Sequence, residues 1–186
     1  MNLLFGWRNI QKTRNSNKPQ THTSVDLSWS KSSGGRLKCN IDAYFSNNKV
    51  GIGACIRYNK VLFIASRTEW FSHITEVAIW EAMGILSSIK WVHALGYDSV
   101  DFELDAKNIV DNVNRSHPNN TDFGAITFEC KLLLVSLSRN FHVKFIRRQA
   151  NEVAHVLARA ATCFDSFQVF TDVPICIHFL IANEMK

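Results

Sequence analysis

The sequence predicts an α/β fold built on a five-stranded mixed sheet, its first three strands antiparallel, with helices flanking it. Two observations carry this expectation. Residues 36–70 contain three runs of strand character joined by short polar connections. The rest of the chain then alternates helical and strand periods, giving the order β-β-β-α-β-α-α-β-α. The 186 residues are 46% hydrophobic and 20% charged, enough for one domain with a sizeable core plus tails, and too apolar for global disorder.

The elements follow in order. In LKCNIDAYF, Leu37, Cys39, Ile41 and Ala43 alternate with Lys38, Asn40 and Asp42, and period two means a strand. VGIGACIR and VLFIASRTEW are two further strands, separated by the turn YNK. In TEVAIWEAMGILSSIKWVHALG, Ala78, Ala82, Ile85, Ile89 and Val92 fall at helical spacing, and Gly96 is a natural stop. VDFELD is a strand with Val100, Phe102 and Leu104 on one face. AKNIVDNVN is a short helix, HPNN a break, and FGAITFECKLLLVSLS a second long helix. HVKFIRR is the fifth strand and NEVAHVLARAATCF the last helix of the domain. The expected boundaries are a linker or tail over 1–35, a domain over 36–164, and an extension over 165–186 that packs a small helix from PICIHFLIANEM on the domain. Trp80 and Trp91 are expected to pack at the core or its edge.

Charge and cysteine usage narrow the setting. The formal charge is +5, compatible with a polyanionic partner. Five cysteines at wide spacings, with no CxxC pair, argue against a disulfide framework or a zinc ribbon and for a reducing, intracellular compartment, nucleus or cytoplasm. MNLLFGW is too short for a secretory signal, and no apolar stretch is long enough to span a membrane. Residues 1–25 hold Arg8, Lys12, Arg14 and Lys18 and no acid, a composition compatible with organelle import as well as with a linker from a larger parent protein.

Three acids stand at informative positions. Asp42 lies inside the first strand, where an unpaired buried charge is costly. Glu81 directly precedes Ala82, at the border of the apolar stripe, so it faces the sheet rather than solvent. Asp105 closes the fourth strand where a helix begins, the place where open α/β sheets build sites. Clustered carboxylates repel unless cations neutralise them, and an all-oxygen set suits Mg²⁺ or Mn²⁺.

This order of strand-Asp, helix-Glu and strand-end-Asp resembles ribonuclease H, and within it the plant ribonuclease H-like domains descended from retroelement reverse transcriptases. LSWSKSSGGRLKCNIDAYFSNNKVGIGACIR, EAMGILSSIKWVHALGYDSVDFELDAKNIVD and VKFIRRQANEVAHVLARAA carry the resemblance over residues 27–162. The tail PICIHFLIANEMK is also similar to tails of such plant proteins. The resemblance implies a metal-dependent endonuclease that hydrolyses the RNA strand of RNA–DNA hybrids. Asp42, Glu81, Asp105 and His155 would be the catalytic residues, and the three acids would also bind the metal. Two Mg²⁺ or Mn²⁺ ions would be bound, with no small-molecule cofactor and no membrane partner.

The sequence departs from the ribonuclease H pattern at one site position. Where N-E-x-x-Asp-x-L-A is expected, NEVAHVLA places His155, a nitrogen donor in place of a hard anionic oxygen. This substitution opens the alternative of a weak or inactive nucleic-acid-binding domain. A basic helix found in some bacterial relatives is absent too, so Arg147 and Arg148 are the expected phosphate contacts, with Asn47 and Asn48 toward backbone or 2′-OH groups. An exonuclease site of the Asp-x-Glu type is excluded, because Tyr44 fills its second slot.

Overall fold

Six strands, not five, form the sheet of the computed structural model, which describes residues 34–46, 48–58, 62–72, 76–115, 120–137 and 140–184. The strands are β1 (Leu37–Ser46), β2 (Lys49–Arg57), β3 (Phe63–Ser72), β4 (Ser99–Leu104), β5 (Asn140–Phe145) and β6 (Gln168–Phe170). Their spatial order is β5-β4-β1-β2-β3-β6. β1 to β3 form the expected antiparallel meander, β4 runs parallel to both β1 and β5, and β6 adds antiparallel to β3. The unexpected strand is the three-residue run QVF, too short to display a period. The extension therefore contains a strand before its helix. The expectation of a linker over residues 1–33 lies outside the described residues, as does the position of Asn47.

Five α-helices are described: α1 (Val77–Ala94), α2 (Lys107–Asn114), α3 (Asp122–Ser136), α4 (Glu152–Ala161) and α5 (Ile175–Glu184). α1 ends as Gly96 implies. Gly96 takes φ +77°, its N–H donates to His93 O at 2.9 Å, and the Tyr97 N–H donates to Val92 O at 3.4 Å, closing a Schellman motif. α3 starts one residue ahead of its expected span because Thr121 Oγ1 accepts from the Gly124 N–H at 3.0 Å. Trp80 stacks on Phe71 with centroids 4.9 Å apart, and Trp91 flanks the core with Arg67 over its ring at 5.0 Å.

The helices cover the sheet from both sides. On one face Leu37, Cys39, Ile41, Ala54, Ile56, Val100 and Phe102 pack with Ala82, Ile85, Ile89 and Val92 of α1. On the other, Cys55 packs with Val153 and Leu157 of α4 and Ile177 and Ile181 of α5. β2 is thus buried along nearly its whole length, and the polar face of β1 is buried as well. Those polar residues survive burial by pairing. Lys38 Nζ lies 2.8 Å from Glu103, Asn40 Nδ2 donates to Glu103 at 3.1 Å, and Arg57 donates to Asn40 Oδ1 at 2.9 Å.

Arg57, only 1% exposed, also pairs with Glu184 at the end of α5, tying that helix to the sheet. Glu184→Ala removes a charged partner from a buried guanidinium and is expected to lower stability by about 1–3 kcal/mol. Urea unfolding checks this; an unchanged midpoint would refute the anchoring role.

Candidate active site

The three acids of the sequence meet at one pocket. Asp42 from β1, Glu81 from α1 and Asp105 immediately after β4 line it, with Ile41, Ala43, Leu104 and Ala106 as its walls. The parallel pairing of β1 and β4 sends both strands toward this end of the sheet. Glu81 reaches it because Ala82, Ile85 and Ile89 hold α1 on the sheet.

A fourth and a fifth group join from the chain that follows β5. Gly51 and Gly53 of β2 let α4 lie directly on the sheet; a Cβ at Gly53 would sit 2.3 Å from Ala158 N and 2.5 Å from Ala154 O. That close approach sets His155 against β1. Its Nδ1 lies 2.7 Å from Asp42 Oδ2, and its ring meets Tyr44 edge-on at 5.7 Å. Arg148 does not end the fifth strand as the sequence reading implies. β5 stops at Phe145, and Arg148 begins a single 3₁₀ turn, Arg148–Ala150. From there its guanidinium lies 3.5 Å from Asp105 Oδ2 and 3.0–3.3 Å from the ring nitrogens of His155.

Asn151 is a site neighbour that the sequence reading missed. It is 1% exposed, and its Nδ2 donates to Ile41 O at 2.9 Å and to Asp105 Oδ1 at 3.2 Å. It thereby locks the end of β4 to β1. Its Oδ1 is buried with no hydrogen-bond partner. An Asn opening a helix reads as an N-cap, yet this side chain makes no cap and reaches across the site instead. The other expected contacts lie apart. Arg147 is exposed and makes no ion pair among the described residues. Asn48 is exposed at φ +60° in the β1–β2 turn, roughly 15–20 Å along the strand from Asp42.

Electrostatics mark the three acids as a set. Burial pushes the Asp42 carboxyl up to about 6, with the Asp105 charge adding to it and His155 opposing it. Burial also raises Glu81 to about 6, with Asp105 and Asp42 contributing in turn and Arg148 opposing. Because the folded chain holds these protons more tightly than the unfolded one, it loses stability as pH rises from about 4.5 through about 6. Glu81→Gln should remove part of that loss. At pH 7 the variant is expected to be more stable than the parent by on the order of 1 kcal/mol, after allowing for solvent screening of a half-buried group. Unfolding curves at pH 4 and pH 7 test this; a parent–variant difference that did not change with pH would refute it.

The donor chemistry fits a hard divalent cation, since three carboxylates face one pocket and two of them, Asp42 and Glu81, have raised proton affinity. Among the described residues, no three His, Cys, Asp or Glu side chains are already drawn together to hold a metal ion. Asp42 is instead engaged by His155, and Asp105 by Asn151 and Arg148.

Comparison with known proteins agrees with the topology. A family model described as Reverse transcriptase-like matches residues 40–161. No curated protein matches. Among solved structures, ribonuclease H1 of the halophilic archaeon Halobacterium salinarum is similar at a TM-score of 0.61 and 17% identity, covering 69% of this chain and 98% of its own. The N-terminal ribonuclease H domain of a Mycobacterium tuberculosis protein gives 0.59 and 19%, covering 69% and 94%. A compost-derived ribonuclease H1, solved with an RNA/DNA hybrid, gives 0.57 and 17%, covering 68% and 96%. Likeness at these identities shows a shared ribonuclease H-like fold.

Proposed function

Because the chain belongs to the Reverse transcriptase-like family, we propose that it is a metal-dependent endonuclease hydrolysing the RNA strand of RNA–DNA hybrids. The observation that carries this reading is the convergence of Asp42, Glu81 and Asp105 on one pocket, with the proton affinity of two of them raised partly by their neighbours. The substrate class rests on likeness to a ribonuclease H1 whose structure holds an RNA/DNA hybrid.

Asp42, Glu81 and Asp105 would hold Mg²⁺ or Mn²⁺. When bound, the metal supplies positive charge to the scissile phosphoryl group. The chain's own residues do the rest. Asn151 and Arg148 fix the Asp105 carboxylate, and His155 fixes that of Asp42. Arg148, whose side chain is 59% exposed, presents the rest of its donor fork to a phosphate. Arg147 and Asn48, both exposed, would meet the nucleic acid further from the pocket. Such contacts read backbone shape and 2′-OH groups rather than base sequence. Origin from a retroelement and an intracellular, reducing setting fit this reading.

His155 favours a second reading, a weak or inactive nucleic-acid-binding domain, since a ring nitrogen stands where the resemblance implies a fourth carboxylate. One assay separates the two. The purified chain is incubated with labelled RNA–DNA hybrid in Mg²⁺, in Mn²⁺, and after chelation. Cleavage that depends on metal is expected. Binding of the hybrid without cleavage in either metal would establish the second reading and overturn the first.

A further inference from the structure

The proposed site holds more positive charge of its own than three carboxylates and an imidazole imply. Arg148 is donor-only and lies against the His155 ring, its Nη2 3.0 Å from Nδ1 and 3.3 Å from Nε2. His155 Nδ1 also lies 2.7 Å from Asp42 Oδ2, so the ring stands between the Asp42 carboxylate and the Arg148 guanidinium. Arg148 brings a permanent positive charge into the group.

The oxygens are shared out accordingly. Asp42 Oδ2 accepts from His155, Asp105 Oδ2 faces Arg148 at 3.5 Å, and Asp105 Oδ1 accepts from Asn151. Glu81 makes no hydrogen bond or ion pair among the described residues. Three carboxylates and one guanidinium leave two net negative charges, the charge of a single divalent cation. A second such ion would leave the site two charges positive, with no protein anion in the group to balance it, and burial makes that imbalance costly.

We infer that Arg148, braced on Asp105 and His155, takes the place of a second divalent ion, so that this chain binds one ion rather than two. The inference rests on the proposed carboxylate site and amends the count of ions expected from the resemblance. Arg148 then has two roles in one position. It neutralises Asp105, and it keeps donors free for a phosphate oxygen, as its 59% exposed side chain allows.

The test counts ions rather than turnover. The full chain is titrated with Mn²⁺, and the free-ion electron paramagnetic resonance signal gives the number bound, relative to Asp42→Asn as baseline. The parent is expected to bind one Mn²⁺, and so is Arg148→Lys, which keeps the charge. Arg148→Ala combined with His155→Asp exchanges a cation for an anion and is expected to bind two; near-ultraviolet circular dichroism of each variant confirms its fold. Two ions on the parent or on Arg148→Lys, or only one on the folded double variant, would overturn the inference and leave the carboxylate site standing. No Mn²⁺ on the parent above the baseline would overturn the carboxylate site itself.

Discussion

Asp42→Asn is expected to abolish metal-dependent hybrid cleavage, a loss on the order of 10³-fold or more, if the carboxylate is worth several kcal/mol of phosphoryl charge stabilisation. The substitution is nearly isosteric. Asn keeps an oxygen that can accept from His155 Nδ1, so the contact now made at 2.7 Å survives in neutral form. What disappears is the charge, and with it the pocket's affinity for a cation. Stability should move the other way. The Asp42 carboxyl is pushed up to about 6 by burial first and by Asp105 second, so its ionised form strains the folded state at pH 7. The variant should therefore match or exceed the parent in urea at pH 7 while losing cleavage. A variant that was both inactive and unfolded would show only that Asp42 is structural.

Gly53→Ala is expected to cost about 3 kcal/mol or more, the upper end of overpacking penalties, because the obstruction is backbone. An added Cβ would lie 2.3 Å from Ala158 N, 2.5 Å from Ala154 O and 2.7 Å from Leu157 Cβ. No side-chain rotation relieves those contacts; α4 must lift from β2. Lifting it would also carry His155 away from Asp42, so the damage extends to the site. Gly84→Ala supplies the contrast. There a Cβ meets Ile41 Cγ2 and Ile52 Cγ2 at 3.5 Å, ordinary van der Waals contact, and Ala is favoured over Gly in a helix by about 1 kcal/mol. Urea or thermal unfolding of the two variants should differ in sign; equal effects would refute the close-approach argument.

Much of this architecture is legible in the sequence because it follows from local periods. The alternation in β1 assigns Leu37, Cys39 and Ile41 to one face, and that face packs on α1. Glu81 is readable as a sheet-facing acid because it precedes Ala82 in the helical stripe, and Asp105 because it closes a strand. What escapes local reading is long-range or short. Asn151 acts on Ile41 and Asp105, which are 110 and 46 residues away, a reach that the local period of NEVAH does not display. β6 is a strand only because β3 offers an edge to three residues. Arg148 sits in a 3₁₀ turn that HVKFIRR, read by period two, extends through as strand. The buried polar side chains of Lys38, Asn40 and Arg57 look like a solvated strand face until α4 and α5 cover it.

The Arg57–Glu184 pair has a consequence for how this domain can be joined to other chains. Arg57 is the register partner of Lys38, so the end of α5 is fastened beside the beginning of β1. Among the described residues β1 therefore begins and α5 ends at one pole, while the carboxylate pocket lies some residues further along β1, past Ile41. A domain whose first strand begins and whose last helix ends at one pole, away from its site, can be set in a loop of a host protein without obstructing the pocket.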